Sequence, residues 1–347
     1  MLAVMNGERP DEVPFVEYVG MIPRGAEELW RHVDIKDVGG LAFVGTWDAN
    51  APNCTMESVA TEEDGLDVTR SSLVTPKGTL TGEMVRNVVK RKPMVTDVED
   101  YHVLLAYLRD VRFAGTTAHI EQVLADLGDQ GLPHVKIPRT PYQRLWTEFV
   151  SMEDLAIHMQ EAPELIDEVM RKLGRHVIDA AKVTAMAARD TEFYHAIICD
   201  NITAPMIGRT LFAKWCAPYY NEVSDILAEE GIKLMIHMDG DLKPLWHEIA
   251  KCRHAGIDSL SPPPDNDTSV TDALEQWPDK LAWTNFPSSV HLAGPAEVYS
   301  VARALLEQGG HTGRFWLQIT EDLPWRGGEW WLTVPEIYKA IKDFGRP

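Results

Sequence analysis

The second half of the chain alternates between short apolar segments and longer segments in which apolar residues recur with helical spacing. The short segments are rich in residues that favour strands, and the longer ones place their apolar residues on one helical face. The predicted strands are His195–Cys199, Lys233–Met238, Ile257–Leu260, Leu281–Asn285 and Arg314–Ile319. Strands that alternate with helices build βαβ units. The pattern therefore predicts an α/β fold with a parallel sheet.

Helical spacing is clearest where the segments also carry start and stop signals. Pro163 and Pro295 stand near the first turn of their helices, and Gly309 follows the second of these two helices. Proline near a helix start and glycine just after its end are favoured at those positions. The predicted helices are Asp97–Val111, Ile120–Leu127, Pro163–Ala188, Leu211–Glu230, Leu242–Ala255 and Pro295–Gln308.

The first half of the chain is less regular. Phe15–Val19 and Leu41–Thr46 have the composition of strands. Residues 58–86 alternate between apolar and polar positions and carry turn signals at Asp64–Gly65 and Pro76–Gly78, which is typical of an antiparallel hairpin. We therefore predict a (β/α)₈ TIM barrel that forms a single domain over residues 1–347, with an N-terminal extension and a hairpin insertion at 58–86.

Composition and charge narrow the class of protein. Hydrophobic residues make up 45% of the chain and the formal net charge is −20. Nucleic acids and anionic membranes both require clustered cations, so we expect neither as a partner. The chain has no uninterrupted apolar run of membrane-spanning length, no recognisable secretory leader and no closely spaced cysteine pair among its 4 cysteines. The expected location is the cytoplasm.

Polar residues follow several of the predicted strands. Asp200 and Asn201 follow the first strand of the second half, His237 and Asp239 end the next strand, and Glu321 follows the last. The carboxyl ends of parallel barrel strands open on one face, where barrel enzymes carry out their chemistry. The sequence therefore predicts an enzyme with its site at these strand ends.

His237 and Asp239 allow three interpretations. Residues i and i+2 of an extended segment point to the same side, so both side chains could hold one metal ion, with Glu321 as a third ligand. A hydrogen-bonded His–Asp pair without metal is the second interpretation, and a structural histidine is the third. His158, His247 and His254 lie in segments predicted as helical and are expected to be surface or packing residues.

Asp200 and Asn201 also have two interpretations. They could form an Asx turn that caps the next helix, or they could orient a substrate and its leaving group as catalytic residues. Trp316, in the tryptophan-rich tail, packs the closing helix or lines a pocket. Phosphate loops, dinucleotide fingerprints and nucleophile elbows do not occur in the sequence.

An ordered set of short segments resembles the uroporphyrinogen decarboxylase superfamily along nearly the whole chain. The first of them, Asn6–Phe15, reads NGERPDEVPF. The other segments are Thr75–Leu80, Ala162–Leu165, Leu211–Pro218, His237–Gly240, Gly256–Asp258 and Gly294–Val298. The resemblance implies a (β/α)₈ barrel, in agreement with the pattern of strands and helices.

The superfamily contains two kinds of chemistry. The true decarboxylases carry an arginine-rich N-terminal motif that binds the substrate carboxylates, whereas the matching stretch Glu17–Arg24 contains one arginine. The resemblance is therefore closer to the corrinoid-dependent methyltransferases. Their coenzyme M members bind zinc through one histidine and two cysteines; here the histidine position is His237, and the cysteine positions are Asp239 and Glu321.

The resemblance implies a methyltransferase that moves a methyl group between a small methylated substrate, such as a methyl ether, and a cobalamin carried by a partner corrinoid protein. Zinc on His237, Asp239 and Glu321 would act as a Lewis acid, and Asp200 and Asn201 would orient the substrate. Two alternatives stay open: a metal-independent decarboxylase and a non-catalytic binding protein on the same barrel. The resemblance also implies a possible homodimer, and a substrate pocket that includes Glu17, Tyr142 and Trp316.

Overall fold

The computed structural model describes residues 1–20, 26–86, 89–319 and 330–346. Contacts between Cα atoms divide the chain into two compact units, and the first comprises Met1–Thr46, Thr117–Ile137 and Ala185–Pro347. The second comprises Trp47–Thr116 and Pro138–Thr184. The organisation of the whole chain as one domain stays a prediction.

The first unit is a closed barrel of parallel strands. In chain order the barrel strands are β1 (Phe15–Tyr18), β2 (Val38–Val44), β3 (Gly131–Ile137), β4 (His195–Ile198), β5 (Lys233–His237), β6 (Gly256–Leu260), β7 (Leu281–Asn285) and β8 (Phe315–Gln318). Each strand pairs with its neighbours in the sequence of barrel strands, and β8 pairs with β1 to close the barrel. The predicted (β/α)₈ fold is confirmed.

The described α-helices of the first unit surround the barrel or close its end. These helices are Leu2–Met5, Ala118–Leu127, Ala204–Trp215, Ala217–Ala228, Trp246–Ala250, Val270–Gln276, Pro295–Gly309 and Trp330–Phe344. Short 3-10 helices are Ala26–Arg31, Ile35–Asp37, Gly128–Gln130, Lys243–Leu245 and Ser288–Ala293.

Several predicted elements differ from the structure in their bounds. The predicted helix Leu211–Glu230 is two helices that meet at Cys216, because Pro218 begins a new first turn. The predicted helix Leu242–Ala255 is a 3-10 turn and one short helix, and His254 lies in the following loop, fully buried. The strand β3 was not predicted from the sequence; it contains Pro133, and proline is usually excluded from a strand interior.

The second unit contains the predicted antiparallel insertion. Its sheet has four strands rather than one hairpin: Thr55–Glu63, Leu66–Thr75, Gly78–Val85 and Val89–Lys92. Trp47–Asn50 and Arg112–Gly115 form a separate antiparallel pair. The helices of this part of the chain are Asp100–Asp110, Pro141–Arg144, Met152–Glu161 and Pro163–Ala187, with a π-helical turn at Leu145–Phe149.

The barrel interior is filled by side chains from alternate strand positions. Trp283 and Trp316 stack with their ring centroids 3.8 Å apart, and Ile197 and Met235 belong to the same buried cluster. Val4 and Met5 of the N-terminal helix also belong to it. Packed layers of this kind make a barrel a solid core rather than a pore, so chemistry is confined to its ends.

Candidate active site

The barrel mouth, meaning the carboxyl ends of β1–β8, carries a layer of polar side chains above the apolar core. Successive side chains of a strand alternate between the two faces, so the residue two positions after an inward tryptophan also points inward. Trp283 and Trp316 lie in the core, and Asn285 and Gln318 therefore face the mouth above them. The other polar members of this layer are Tyr18, His134, His237 and Asp258.

Asp258 is the centre of a buried hydrogen-bond network. Its Oδ2 accepts a hydrogen bond from the Tyr18 hydroxyl at 2.6 Å and lies 3.1 Å from Nδ1 of His237. Nε2 of His134 lies 3.7 Å from the same oxygen. Burial acts to raise the pKa of Asp258, but the contacts with His134 and His237 outweigh it and hold the pKa well below its usual range. The carboxylate is therefore ionised inside the barrel.

An irregularity in β6 allows two consecutive residues to reach Tyr18. The pairing register of β6 with β7 shifts between Ile257 and Leu260, and Ser259 adopts a left-handed backbone conformation with φ 58°. Consecutive strand residues normally point to opposite faces, but here Oγ of Ser259 lies 2.8 Å from the Tyr18 hydroxyl oxygen, which also bonds to Asp258. Non-glycine residues in this conformation concentrate at functional sites.

His134 and His195 form a second buried pair next to this network. Nδ1 of His134 and Nε2 of His195 are 2.8 Å apart, so one ring donates and the other accepts. Burial, and then the neighbouring His134, lowers the pKa of His195 well below its usual range. The ring of His195 meets Trp283 edge-on with centroids 5.0 Å apart. His195 is therefore held as a neutral imidazole against the aromatic core.

His237 and Asp239 are brought together as the sequence predicted. Nε2 of His237 lies 3.6 Å from Oδ2 of Asp239, and Asn201 donates to the same oxygen from Nδ2 at 3.2 Å. Burial acts to raise the pKa of Asp239, but the nearby His237 and then the hydrogen bond from Asn201 lower it. The backbone oxygen of Asp239 accepts from Asn266 at 2.7 Å, which fixes this loop.

A glycine makes this arrangement possible. The amide of Gly240 donates to the carbonyl of Ile202 at 3.1 Å, so the loops after β4 and β5 lie against each other. A Cβ on Gly240 would lie 2.3 Å from Cβ of Thr203 and 2.8 Å from the Ile202 oxygen. Glycine at position 240 therefore permits the approach that brings Asn201 to Asp239.

The donor atoms fit part of a zinc site. Asp258 engages Nδ1 of His237, and metal-binding histidines in proteins are commonly oriented by such a carboxylate. The separation of 3.6 Å between Nε2 and the Asp239 oxygen is close to the roughly 3.4 Å between two ligands of one tetrahedral zinc ion. The described ranges contain no group of three His, Cys, Asp or Glu side chains that could hold a metal, and the predicted third ligand, Glu321, lies outside them.

The predicted catalytic pair separates. Asn201, with φ 50°, reaches Asp239, whereas Asp200 is fully buried and accepts from the Tyr220 hydroxyl at 2.6 Å. Burial, and then the charge of Asp200, raises the pKa of Tyr220 well above its usual range. Asp200 is therefore directed toward the helix Ala217–Ala228 that carries Tyr220.

Two of the predicted pocket residues, Glu17 and Trp316, belong to the first unit, and the pocket itself stays a prediction. Glu17 neighbours Tyr18 on β1 and accepts from the Tyr18 backbone amide at 2.7 Å, so the two side chains occupy opposite faces of the strand. Trp316 lies in the core, with no exposed surface. Tyr142 belongs to the second unit and donates to Sδ of Met152 at 3.3 Å.

Five residues of this polar layer were not predicted from the sequence: Tyr18, His134, Asp258, Asn285 and Gln318. Asn285 and Gln318 carried a signal, because both are polar residues near the end of a predicted apolar strand. Asp258 stands in a segment that resembles the superfamily, but its role was not inferred. His134 gave no signal, since its strand was not predicted.

A cavity of about 740 Å³ lies at the other end of the barrel. It is bordered by the starts of the first three strands, including Phe15, Gly39 and Gly131, and by Lys342 of the C-terminal helix. The polar network of the mouth does not border it. Within the described ranges, no helix is both long and apolar enough to cross a membrane.

The uroporphyrinogen decarboxylase (URO-D) family model matches residues 145–318, which is half of the chain. The matched stretch contains β4–β8, and with them His237, Asp258, Asn285 and Gln318. The chain belongs to the uroporphyrinogen decarboxylase family. No curated protein matches it.

Two solved structures that superpose on this chain have little sequence identity to it. A methyltransferase from Methanosarcina mazei superposes with a TM-score of 0.57 at 13% identity, over 99% of this chain and 97% of that protein. A B12-independent methionine synthase from Shewanella sp. W3-18-1 gives a TM-score of 0.43 at 10% identity, over 86% of this chain and 76% of that one. The first likeness establishes the shared fold, and the second is too low to support an argument.

Proposed function

We propose that the protein is a methyltransferase that moves a methyl group between a small methylated substrate and a corrinoid protein. One observation carries the proposal: Asp258 engages Nδ1 of His237, while Nε2 of the same ring lies beside Asp239. Membership of the family and the fold shared with a methyltransferase support it. A methyl ether or a related compound is the proposed methyl donor.

His237 and Asp239 would hold a zinc ion together with Glu321. The bound metal would polarise the heteroatom that carries the methyl group and so assist its departure. Two carboxylates and one imidazole form a ligand set that zinc accepts, and zinc catalysis requires a fourth position open to the substrate.

The remaining residues prepare this site. The ionised Asp258 would keep the proton of His237 on Nδ1, so that Nε2 presents its lone pair to the metal. Tyr18 donates to Asp258 and stabilises the charge that the carboxylate carries inside the barrel. Asn201 orients the carboxylate of Asp239 by donating from Nδ2 to Oδ2 of Asp239. The proposed role of Asn201 is therefore positioning, and the mechanism makes no direct use of Asp200.

The corrinoid partner would dock at the barrel mouth. A methyl carbon bound beside His237 would have to be reached from the carboxyl ends of the strands, because the stacked Trp283 and Trp316 fill the barrel beneath it. The same layer keeps water from reaching the site through the core.

Metal content and methyl transfer test the proposal together. The protein would be purified without chelator, its zinc measured by elemental analysis, and methylcobalamin formation followed with free cob(I)alamin and aryl methyl ethers. We expect near-stoichiometric zinc in the wild type and a loss of most of it in His237→Ala and Asp239→Ala. The exposed His247 offers a matched control, and His247→Ala should retain zinc and activity.

Equal zinc in the wild type and both site variants would contradict the proposal. The family name supports an alternative, a decarboxylase, which predicts carbon dioxide release from a porphyrinogen carboxylate without metal. A protein that shows neither zinc binding nor either reaction would support the binding-protein alternative.

A further inference from the structure

Two amide side chains stand side by side at the mouth on neighbouring strands. Asn285 and Gln318 are the last residues of β7 and β8 and are register partners. Both are buried, with 5% and 1% of their surface exposed. Their alignment with Trp283 and Trp316, two positions earlier on each strand, directs both amides toward the mouth.

These amides leave hydrogen-bonding atoms unused within the described part of the chain. Asn285 donates from Nδ2 to Oγ of Ser261 at 3.5 Å, and its Oδ1 has no partner among the described residues. Gln318 has no partner there for either Nε2 or Oε1. Leaving a buried polar atom unpaired costs about 1–3 kcal/mol, so such atoms in a native protein require an explanation, and a bound ligand group is one.

We propose that Asn285 and Gln318 bind a neutral group of the substrate that both donates and accepts hydrogen bonds, such as a carboxamide or a hydroxyl. Asn285 Oδ1 and Gln318 Oε1 require a donor, and Gln318 Nε2 requires an acceptor. A carboxylate would meet two amide oxygens, and an ammonium would leave the amide nitrogen unpaired. The pair therefore disfavours both charged groups. The proposed methyl donor is a methylated compound that carries a neutral carboxamide or hydroxyl group.

The inference rests on the proposed function in one respect, because it takes the ligand to be the methyl donor. Its test therefore measures ligand binding and does not depend on methyl transfer. Calorimetry would compare four probes of similar shape: 4-methoxybenzamide, 4-methoxybenzoate, 4-methoxybenzylamine and 4-methylanisole. We expect 4-methoxybenzamide to bind at least about tenfold more tightly than the others.

Variants distinguish recognition from a structural role. Gln318→Met keeps the shape but removes the amide, and it should weaken binding of 4-methoxybenzamide about tenfold while the melting temperature stays equal or rises. Gln318→Glu should shift the preference toward 4-methoxybenzylamine, a gain that a structural residue would not produce. Gln308→Met is the matched control, since Gln308 lies on the helix Pro295–Gly309 and bonds to Thr271.

The inference is overturned if the wild type binds all four probes within threefold of one another, or binds none of them. Unchanged binding of 4-methoxybenzamide by Gln318→Met also overturns it. Selective binding without zinc or methyl transfer would sustain the amide subsite and reject the proposed function. Zinc binding and methyl transfer without discrimination among the probes would support the proposed function and reject the amide subsite.

Discussion

His237 and Asp258 lie opposite each other on neighbouring strands, and the carboxylate oxygen Oδ2 is 3.1 Å from the imidazole Nδ1. This contact decides which nitrogen of His237 is available at the mouth. A ring that uses Nδ1 for the carboxylate presents Nε2, the atom that lies beside Asp239.

Replacing Asp258 therefore tests an effect on zinc without removing a proposed ligand. We expect Asp258→Asn to weaken zinc binding by about 10- to 100-fold, because the amide no longer fixes the charge and tautomer of His237. Competition with a chromogenic chelator would measure the affinity. Asp225→Asn serves as the control, since Asp225 is exposed and pairs with Arg253 away from the mouth. Unchanged zinc affinity in Asp258→Asn would contradict the proposal that Asp258 orients His237.

Gly240→Ala tests the contact between the loops after β4 and β5. The added Cβ would lie 2.3 Å from Cβ of Thr203, so the loops must separate, and we expect a loss of about 1–3 kcal/mol in unfolding free energy. Because Asn201 would then move away from Asp239, zinc content should also fall.

Gly231→Ala is its matched control. Gly231 has a φ of 74° but no atom within 4 Å of the added Cβ, so only backbone strain is introduced. Urea denaturation and elemental analysis of both variants separate the two effects. Zinc content that is equal in the two variants would show that the loop contact does not support the site.

Stability should fall in mild acid because of buried histidines. Burial, and then the charge of Arg144, lowers the pKa of His176 to about 4. The unfolded chain binds a proton at His176 below about pH 6.5, whereas the folded chain does so only near pH 4, so acid favours unfolding. The contribution of His176 is complete above pH 6.5 and is lost as the pH falls toward 4, by about 3 kcal/mol at most.

Urea denaturation of wild type and His176→Gln between pH 7 and pH 4.5 measures this contribution. The glutamine can still donate to the Leu108 carbonyl, which His176 Nε2 contacts at 2.8 Å, but it does not titrate. We expect a shallower loss of stability in the variant. His247→Gln, at an exposed position, should follow the wild type. Parallel curves for wild type and His176→Gln would contradict the assignment.

Lys342 connects the C-terminal helix to the start of the chain. Its Nζ lies 2.5 Å from Glu12 Oε2 and 2.9 Å from Asp37 Oδ2. Lys342→Met should lower the unfolding free energy by about 1 kcal/mol, since two carboxylates lose a shared, partly shielded partner. Lys339→Met, one turn earlier and 4.0 Å from Glu336, should have a smaller effect on the denaturation midpoint. An equal effect of both variants would count against the network.

The barrel could be predicted because its strands and helices differ in the period of their apolar positions. The strand β3 could not be predicted because Gly131, Pro133 and His134 interrupt its apolar pattern. Its pairing with β2 and β4 stabilises the strand, and this pairing cannot be deduced from the local sequence. The same limit applies to the long predicted helix, where one residue at Cys216 separates two helices.

The proximity of His237 and Asp239 followed from strand geometry and could be predicted. The Asp258 network could not, because it joins Tyr18 to a residue 240 positions later and depends on the irregular register of β6. The resemblance to the family indicated the same strand ends but assigned no role to Asp258, Asn285 or Gln318. The place of these residues in the site depends on which strands are neighbours in the folded barrel, and the local sequence pattern does not contain that information.

The stacked indoles of Trp283 and Trp316 lie one layer beneath the mouth, close enough for their electronic transitions to couple. Coupled aromatic chromophores give a circular-dichroism signal that depends on their mutual angle. The barrel thus contains an intrinsic optical reporter directly under the candidate site, and ligand entry could be followed in the unlabelled protein.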